Sequence, residues 1–119
     1  MTAKRVLITG TSGLIAGAAY RRLVAMPEQY DVYALSRRRQ ASERAGEAAP
    51  PDIPDDHFFL ADMADLDAVT HAFEGMDAVV HLAADPRPDA SWDHLLESNI
   101  VGARNAFEAA VRTGVKRVI

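Results

Sequence analysis

The sequence predicts an α/β fold, a doubly wound parallel sheet, on three observations. Short apolar runs suited to strands recur at residues 6–8, 31–36, 58–61, 78–82 and 116–119. Segments with a helical apolar period stand between several of them, and the first run passes through a glycine-rich turn into a helix. Strand alternating with helix along one chain is the pattern of a parallel sheet covered by helices on its faces.

Val6, Leu7 and Ile8 are continuously apolar, as a strand buried on both faces requires. A helix follows over 14–26, with Ala19, Leu23 and Met26 at helical spacing and Pro27 to stop it. The second strand, 31–36, ends in polar residues. Residues 37–57 open on Arg37, Arg38 and Arg39 and close near Pro50, Pro51 and Pro54. They read as a long surface connection with at most a short helix around 43–48. After the third strand, 58–61, Asp65 is placed to cap a short helix whose Leu66, Val69 and Phe73 share a face and which Gly75 ends. The fourth strand, 78–82, leads through Pro86 and Pro88 to a long helix predicted over 92–113. Its stripe is Trp92, Leu95, Leu96, Ile100, Ala103, Ala106, Phe107, Ala110 and Val111, closed by Gly114. A fifth strand begins at 116 and the sequence stops within it.

A chain of 119 residues suffices for one domain, and its 49% apolar and 25% charged residues are ordinary globular composition. The net charge of −4 gives no support to a nucleic-acid or anionic-membrane partner. The absence of cysteine removes disulfides and thiolate metal sites and fits a reducing compartment. Glycines interrupt the first apolar run before a signal core or membrane span forms, so a cytoplasmic, soluble protein is expected. His57, His71, His81 and His94 show no metal-ligand spacing.

The chemistry lies in the first turn. Glycines at 10 and 13, between a strand and a helix, give a tight turn and let backbone approach a pyrophosphate. The free amides and positive end of the helix then face the phosphate charge. The segment Thr9-Gly10-Thr11-Ser12-Gly13-Leu14-Ile15-Ala16 resembles the Thr-Gly-x-x-Gly-x-x-Gly fingerprint of extended short-chain dehydrogenases/reductases, the NAD(P)-dependent epimerase/dehydratase family. It departs at Ala16, with Gly17 one place later. Three further segments match in order. Asp62-Met63 resembles the family's Asp-Leu/Val pair, which implies a carboxylate on the adenine amino group. His81-Leu82-Ala83-Ala84 resembles His-x-Ala-Ala, whose backbone passes beneath the riboses. His81 itself reads as a packed strand histidine. Asn99-Ile100-Val101-Gly102 resembles Asn-x-x-Gly-Thr, with Ala103 in place of the threonine. Counting along the stripe puts Asn99 on the buried face, where its amide needs a backbone partner, and Gly102 permits close helix-to-sheet approach. Residues 114–119 match the entry to the family's fifth strand, and residues 92–119 look most like uronate dehydrogenase-type members.

The resemblance implies a Rossmann-type sheet over residues 1–119, truncated after the start of the fifth strand, with Gly10, Thr11, Ser12, Gly13, Leu14, Ile15, Ser36, Arg37, Arg38, Asp62, Met63, Leu82, Ala83, Ala84 and Asn99 around a dinucleotide. An NAD site places a carboxylate at the end of the second strand. Here Ser36, Arg37 and Arg38 stand there instead, a hydroxyl and two guanidinium groups suited to a 2′-phosphate, so NADP is favoured over NAD. The family's catalytic Ser/Thr and Tyr-x-x-x-Lys lie beyond the fifth strand. Tyr20, Tyr30 and Tyr33 have no lysine four residues on. The sequence leaves three readings: the cofactor half of a sugar or nucleotide-sugar oxidoreductase, epimerase or dehydratase; a non-catalytic dinucleotide-sensing or protein-interaction module; or a half-domain that pairs with a second copy. Ile119 ends inside an apolar strand, which favours the first and leaves an edge that would make a homo-oligomer.

Overall fold

The computed structural model describes residues 2–39 and 51–119. The short helix expected around 43–48 lies outside them. Five strands form one parallel sheet: β1 (Lys4–Thr9), β2 (Tyr30–Ser36), β3 (Phe58–Leu60), β4 (Ala78–His81) and β5 (Arg117–Val118). Their order is β3-β2-β1-β4-β5. The chain winds outward from β1 to β3, then returns to the other side of β1, so the winding reverses between β1 and β4. That reversal defines a doubly wound Rossmann-type sheet and opens a crevice at the carboxyl ends of those two strands.

Alternation along β1 divides the core. Leu7 points to one face with Tyr33, Leu35 and Val79, and packs against Val69, Phe73, Ala106 and Ala109 of two helices. Val6 and Ile8 point to the other, with Val32 and Ala34, against Ala16, Tyr20 and the buried Ile53 of the long connection. Both faces are therefore covered, as the apolar strands require.

Helix α1 (Leu14–Val24) is two residues shorter than its apolar pattern predicted. The chain turns through 25–29 instead, with the Met26 amide donating to Leu23 O, because Pro27 disfavours helical backbone at the residue before it. Helix α2 (Leu66–Phe73) starts as expected, its cap Asp65 accepting from Ala68 N at 3.2 Å.

The predicted helix over 92–113 is three pieces. A short α3 (Trp92–Leu95), capped by Ser91, leads into a π-helical segment, Leu96–Val101, and then α4 (Gly102–Thr113). A π turn takes an extra residue and rotates the helix downstream of it. The predicted stripe is accordingly misplaced. Ala106 and Ala110 are buried, but Trp92, Ile100, Phe107 and Val111 are 65%, 50%, 60% and 80% exposed. The face that packs is built from small residues, Gly102, Asn105, Ala106, Ala109 and Ala110. Asn105 is the polar residue buried on it, and its Nδ2 donates to Met63 O at 2.8 Å. Gly114, at φ +76°, ends the helix as expected.

Asn105→Ala removes the donor and leaves a buried carbonyl unpaired, which costs about 1–3 kcal/mol. Urea unfolding followed by circular dichroism should show a lower midpoint with an unchanged slope.

Candidate functional site

The carboxyl ends of β1 and β4 are joined by one side chain. Thr9, fully buried, ends β1 in register with His81. Its Oγ1 accepts from Leu82 N at 3.0 Å and Ala83 N at 3.1 Å and lies 2.9 Å from His81 Nδ1. A hydroxyl has two lone pairs and one proton. Both lone pairs are used, so the proton goes to His81 Nδ1 and the ring carries its own proton on Nε2. Burial pushes this imidazole below its ordinary value, so it is neutral. His81 is the packed strand histidine expected, and Thr9 fixes the backbone of Leu82 and Ala83.

Gly10 follows, at φ +81°. A Cβ there would lie 2.8 Å from Ala83 Cα and 2.9 Å from Ala83 N. Glycine is thus demanded by the β4 backbone, as well as by the turn. Gly13 is different. Its φ of −83° suits any residue, and the only described atom a Cβ would meet closely is Gly10 O, at 3.2 Å. That contact is tight, and a side chain at 13 would require the Gly10 carbonyl to shift by a few tenths of an ångström, a milder demand than the one at Gly10.

Gly13 is also the N-cap of α1. No side chain caps this helix and no acid stands in its first turn. Its leading N–H groups, which an α-helix cannot satisfy internally, point into the crevice region with the positive end of the helix dipole. Leu14 and Ile15 of that first turn are exposed. Beside them Thr11 is buried, and its Oγ1 has no hydrogen-bond partner among the described residues. An open helix end, an orphaned hydroxyl and a glycine at the helix cap together fit a pyrophosphate.

The end of β2 is brought to the same turn. Ser36 is buried and its hydroxyl donates to Ser12 Oγ at 3.0 Å. That proton is therefore engaged inside the protein, whereas Arg37 and Arg38 are exposed. At the end of β3, Asp62 is exposed and its Oδ1 accepts from Ala64 N at 2.9 Å, which makes a turn before Asp65. Met63 turns its side chain into the core. A Cβ on Gly102 would meet Met63 Cβ at 3.1 Å, so the close approach this glycine permits is to the β3–α2 loop and not to the sheet.

Past β4, Leu82 and Ala84 are exposed and Ala83 is half-buried. The next residue, Asp85, is gripped on both sides of its backbone by Asn99, whose Oδ1 accepts from Asp85 N at 2.7 Å and whose Nδ2 donates to Asp85 O at 3.1 Å. The backbone partner expected for Asn99 is present, but Asn99 is only half-buried and belongs to the π segment. The buried amide of this helix is Asn105. Asp85 itself is missing from the sequence-derived site. Its carboxylate is buried, accepts from Arg87 Nη2 at 2.7 Å and Nε at 3.0 Å, and lies 2.7 Å from His94 Nε2. Arg87's hydrogen bonds hold the Asp85 carboxyl well below the usual carboxylate range. Two prolines mark this stretch as loop, and only the adjacent acid–proline–arginine order hints at the pair.

Comparison with known proteins agrees with this geometry. Residues 6–119 match the model of the NAD dependent epimerase/dehydratase family. The chain belongs to that family. It is 38% identical over 112 residues to the NAD-dependent glucose-6-phosphate dehydrogenase of Haloferax volcanii, covering 94% of this chain and 40% of that one. It is 36% identical over 115 residues to the same organism's L-arabinose 1-dehydrogenase (NAD(P)(+)), covering 97% and 39%. The uronate dehydrogenase of Agrobacterium tumefaciens superposes with a TM-score of 0.76 at 28% identity, covering 99% of this chain and 40% of that one. The chain thus spans about 40% of the length of these curated relatives.

In this epimerase/dehydratase-family sheet the three tyrosines stand away from the crevice. Tyr30 opens β2 and Tyr33 stands at its middle, and Tyr20 is buried on the inner face of α1, where burial raises its pKa. Among the described residues no group of three His, Asp or Glu is arranged to hold a metal ion. Among the described residues no helix is long and apolar enough to cross a membrane.

Gly10→Ala forces a left-handed backbone, at about 1–2 kcal/mol, and drives a methyl group against Ala83. The variant should melt well below the wild type. A Tm unchanged by the substitution would show that the turn can move away from β4.

Proposed function

We propose that residues 1–119 form the dinucleotide-binding part of an oxidoreductase, epimerase or dehydratase acting on a sugar or nucleotide-sugar. The observation that carries this reading is the contrast between the two glycines. Gly10 is required by the fold at a positive φ, whereas Gly13, at an ordinary φ, caps a helix end that no side chain closes, beside the orphaned Thr11 hydroxyl, an arrangement that a pyrophosphate fits. On this reading the amides of Leu14 and Ile15 and the hydroxyls of Thr11 and Ser12 hold the phosphates, and Gly13, whose own amide donates to Gly10 O, lets them approach. The Asp62 carboxylate faces the adenine, Met63 backs that loop from the core, and the backbone of Leu82, Ala83 and Ala84 lies under the riboses, with Asn99 holding the loop after them. The bound dinucleotide would accept or return a hydride. The protein's part here is to orient it and to exclude water on one side.

NADP is the proposed cofactor in preference to NAD. Arg37 and Arg38 are exposed at the end of β2, no carboxylate stands there to repel a 2′-phosphate, and Ser36 anchors that corner through Ser12. The substrate is proposed to be a sugar because the matched relatives are named for glucose 6-phosphate and arabinose. A cytoplasmic setting suits the cysteine-free composition. Self-association is proposed as well, on the exposed apolar face formed by Ile100, Phe107 and Val111.

Calorimetric titration should show tighter binding of NADPH than of NADH. Arg37→Ala should narrow the difference, a charge-assisted hydrogen bond being worth about 1.5–3 kcal/mol. Tighter NADH binding would reverse the cofactor assignment. Gly13→Val should remove binding of both while the circular dichroism spectrum stays that of the wild type.

The 119-residue chain alone should bind the dinucleotide yet transfer no hydride to any sugar, since it lacks a Tyr-x-x-x-Lys pair. Absorbance at the reduced nicotinamide band checks for hydride transfer, and light scattering should find a dimer or larger assembly.

A further inference from the structure

At the end of the sheet opposite the glycine turn, His57 stands between two carboxylates. Its Nε2 lies 2.7 Å from Asp31 Oδ1 and its Nδ1 2.8 Å from Asp56 Oδ1. An ionised carboxylate only accepts hydrogen bonds, so both ring nitrogens donate and the imidazole carries both protons. The ring stacks on Tyr33, with centroids 4.3 Å apart and planes 16° from parallel. The Tyr33 hydroxyl donates to Asp31 Oδ2 at 3.1 Å and accepts from Arg5 Nη2 at 2.8 Å. A continuous chain thus runs from Arg5 on β1 through Tyr33 and Asp31 on β2 to the Asp55–His57 turn that opens β3.

The same turn is held from the other direction. Arg39 donates to Ile53 O at 3.0 Å and to Asp55 Oδ1 at 2.6 Å, with its guanidinium 4.3 Å from the centre of the Phe58 ring. Arg39 directly follows Arg37 and Arg38. Other charged groups packed nearby are already engaged. Asp77 takes the Arg5 backbone amide, and His71 of α2 meets Phe59 edge-on, one ring away from Tyr33.

We propose that His57 is a proton-operated clasp: doubly protonated, it ties the Asp55–His57 turn to β2, and through Arg39 it steadies the arginines at the ribose end of the dinucleotide site. The regulatory half rests on the dinucleotide reading above; the clasp does not. A neutral ring has one N–H, so one carboxylate would then face a lone pair and the turn would loosen. The hydrogen bond to Asp56 foremost, with that to Asp31, raises the His57 pKa above its ordinary value of 6.5 against the opposing effect of burial. A raised value in the folded state means that the clasp's contribution is complete below about 6.5 and is lost as pH climbs through the raised value.

Nitrogen-15 NMR of the histidine rings in the 119-residue chain tests the clasp without any cofactor. His57 should show two protonated nitrogens below its midpoint, and that midpoint should lie above 6.5. The Phe58 amide, which bonds Asp55 O, should lose protection as the ring titrates, beyond the chemical base catalysis of exchange. In His57→Gln, which cannot titrate, that excess should vanish. A midpoint at or below 6.5, or protection that ignores the titration, would overturn the clasp; the wild-type spectra decide this even if the variant fails to fold. NADPH titrations over the same range test the regulatory half. Affinity should fall with the ring's deprotonation in the wild type relative to His57→Gln, by up to about fivefold, the range of an exposed ion pair. Coincident profiles would overturn the regulation. Absence of NADPH binding at any pH would overturn the dinucleotide reading and with it the regulation, while leaving the clasp standing on its own spectra.

Discussion

Everything at the carboxyl end of this sheet depends on how closely β1 and β4 are drawn together just past their last paired residues. Thr9 draws them with one hydroxyl that makes all three of its hydrogen bonds to the β4 side. At that separation the next residue of β1 has Ala83 backbone less than 3 Å from where its Cβ would be. Glycine at 10 is therefore a consequence of the threonine contact. The left-handed turn that glycine allows then aims α1 so that its first amides open on the crevice. One fully buried hydrogen-bonding group thus sets the strand spacing, the glycine and the direction of the helix.

This dependence explains which parts were legible in the sequence. The glycine turn, the strands and the Asp65 cap were readable because local chemistry dictates them. Glycine alone takes a positive φ cheaply, and a strand covered on both faces has to be apolar along its length. The register, which places Thr9 against His81, is a long-range fact, so Thr9 was seen as part of a motif and not as the joint. The region after β4 was read least well. A 3.6-residue period assumes that every turn takes the same number of residues, and the π segment at Leu96–Val101 breaks that assumption. The large apolar residues of 92–113 then suggested a buried stripe, whereas the packed face needs small ones: Gly102 meets Met63 at near-contact, and Asn105 must reach a carbonyl. Side-chain size, more than hydrophobicity, marks that face.

The π segment has its own reason for being where it is. It carries Asn99, and the Asn99 amide closes on both backbone groups of Asp85. With Arg87 and His94 on its carboxylate, Asp85 is held at backbone and side chain together. A buried carboxylate is costly unless paired and hydrogen-bonded, and this one is both. The loop leaving β4 is thus held through the backbone of Asp85 and through its side chain. A π turn at such a point fits the general association of π segments with functional positions.

The two ends of the sheet thus solve different problems with different chemistry. At the carboxyl end of β1 the groups lining the turn are uncharged: hydroxyls, glycines, backbone amides and a neutral histidine. Fixed N–H dipoles suit a phosphate there, because a nearby carboxylate would repel it and a buried cation would need a partner when the site is empty. At the amino end the side chains are charged and mutually paired, Arg5 through Tyr33 to Asp31 and His57. Those pairs hold the long β2–β3 connection where its apolar content is low: among its described residues Ile53 alone is buried in the core. Hydrophobic burial therefore holds the sheet, and polar contacts hold the connection. Because polar contacts of ionisable groups respond to pH and apolar burial does not, the connection is a part of this fold whose placement a proton can change.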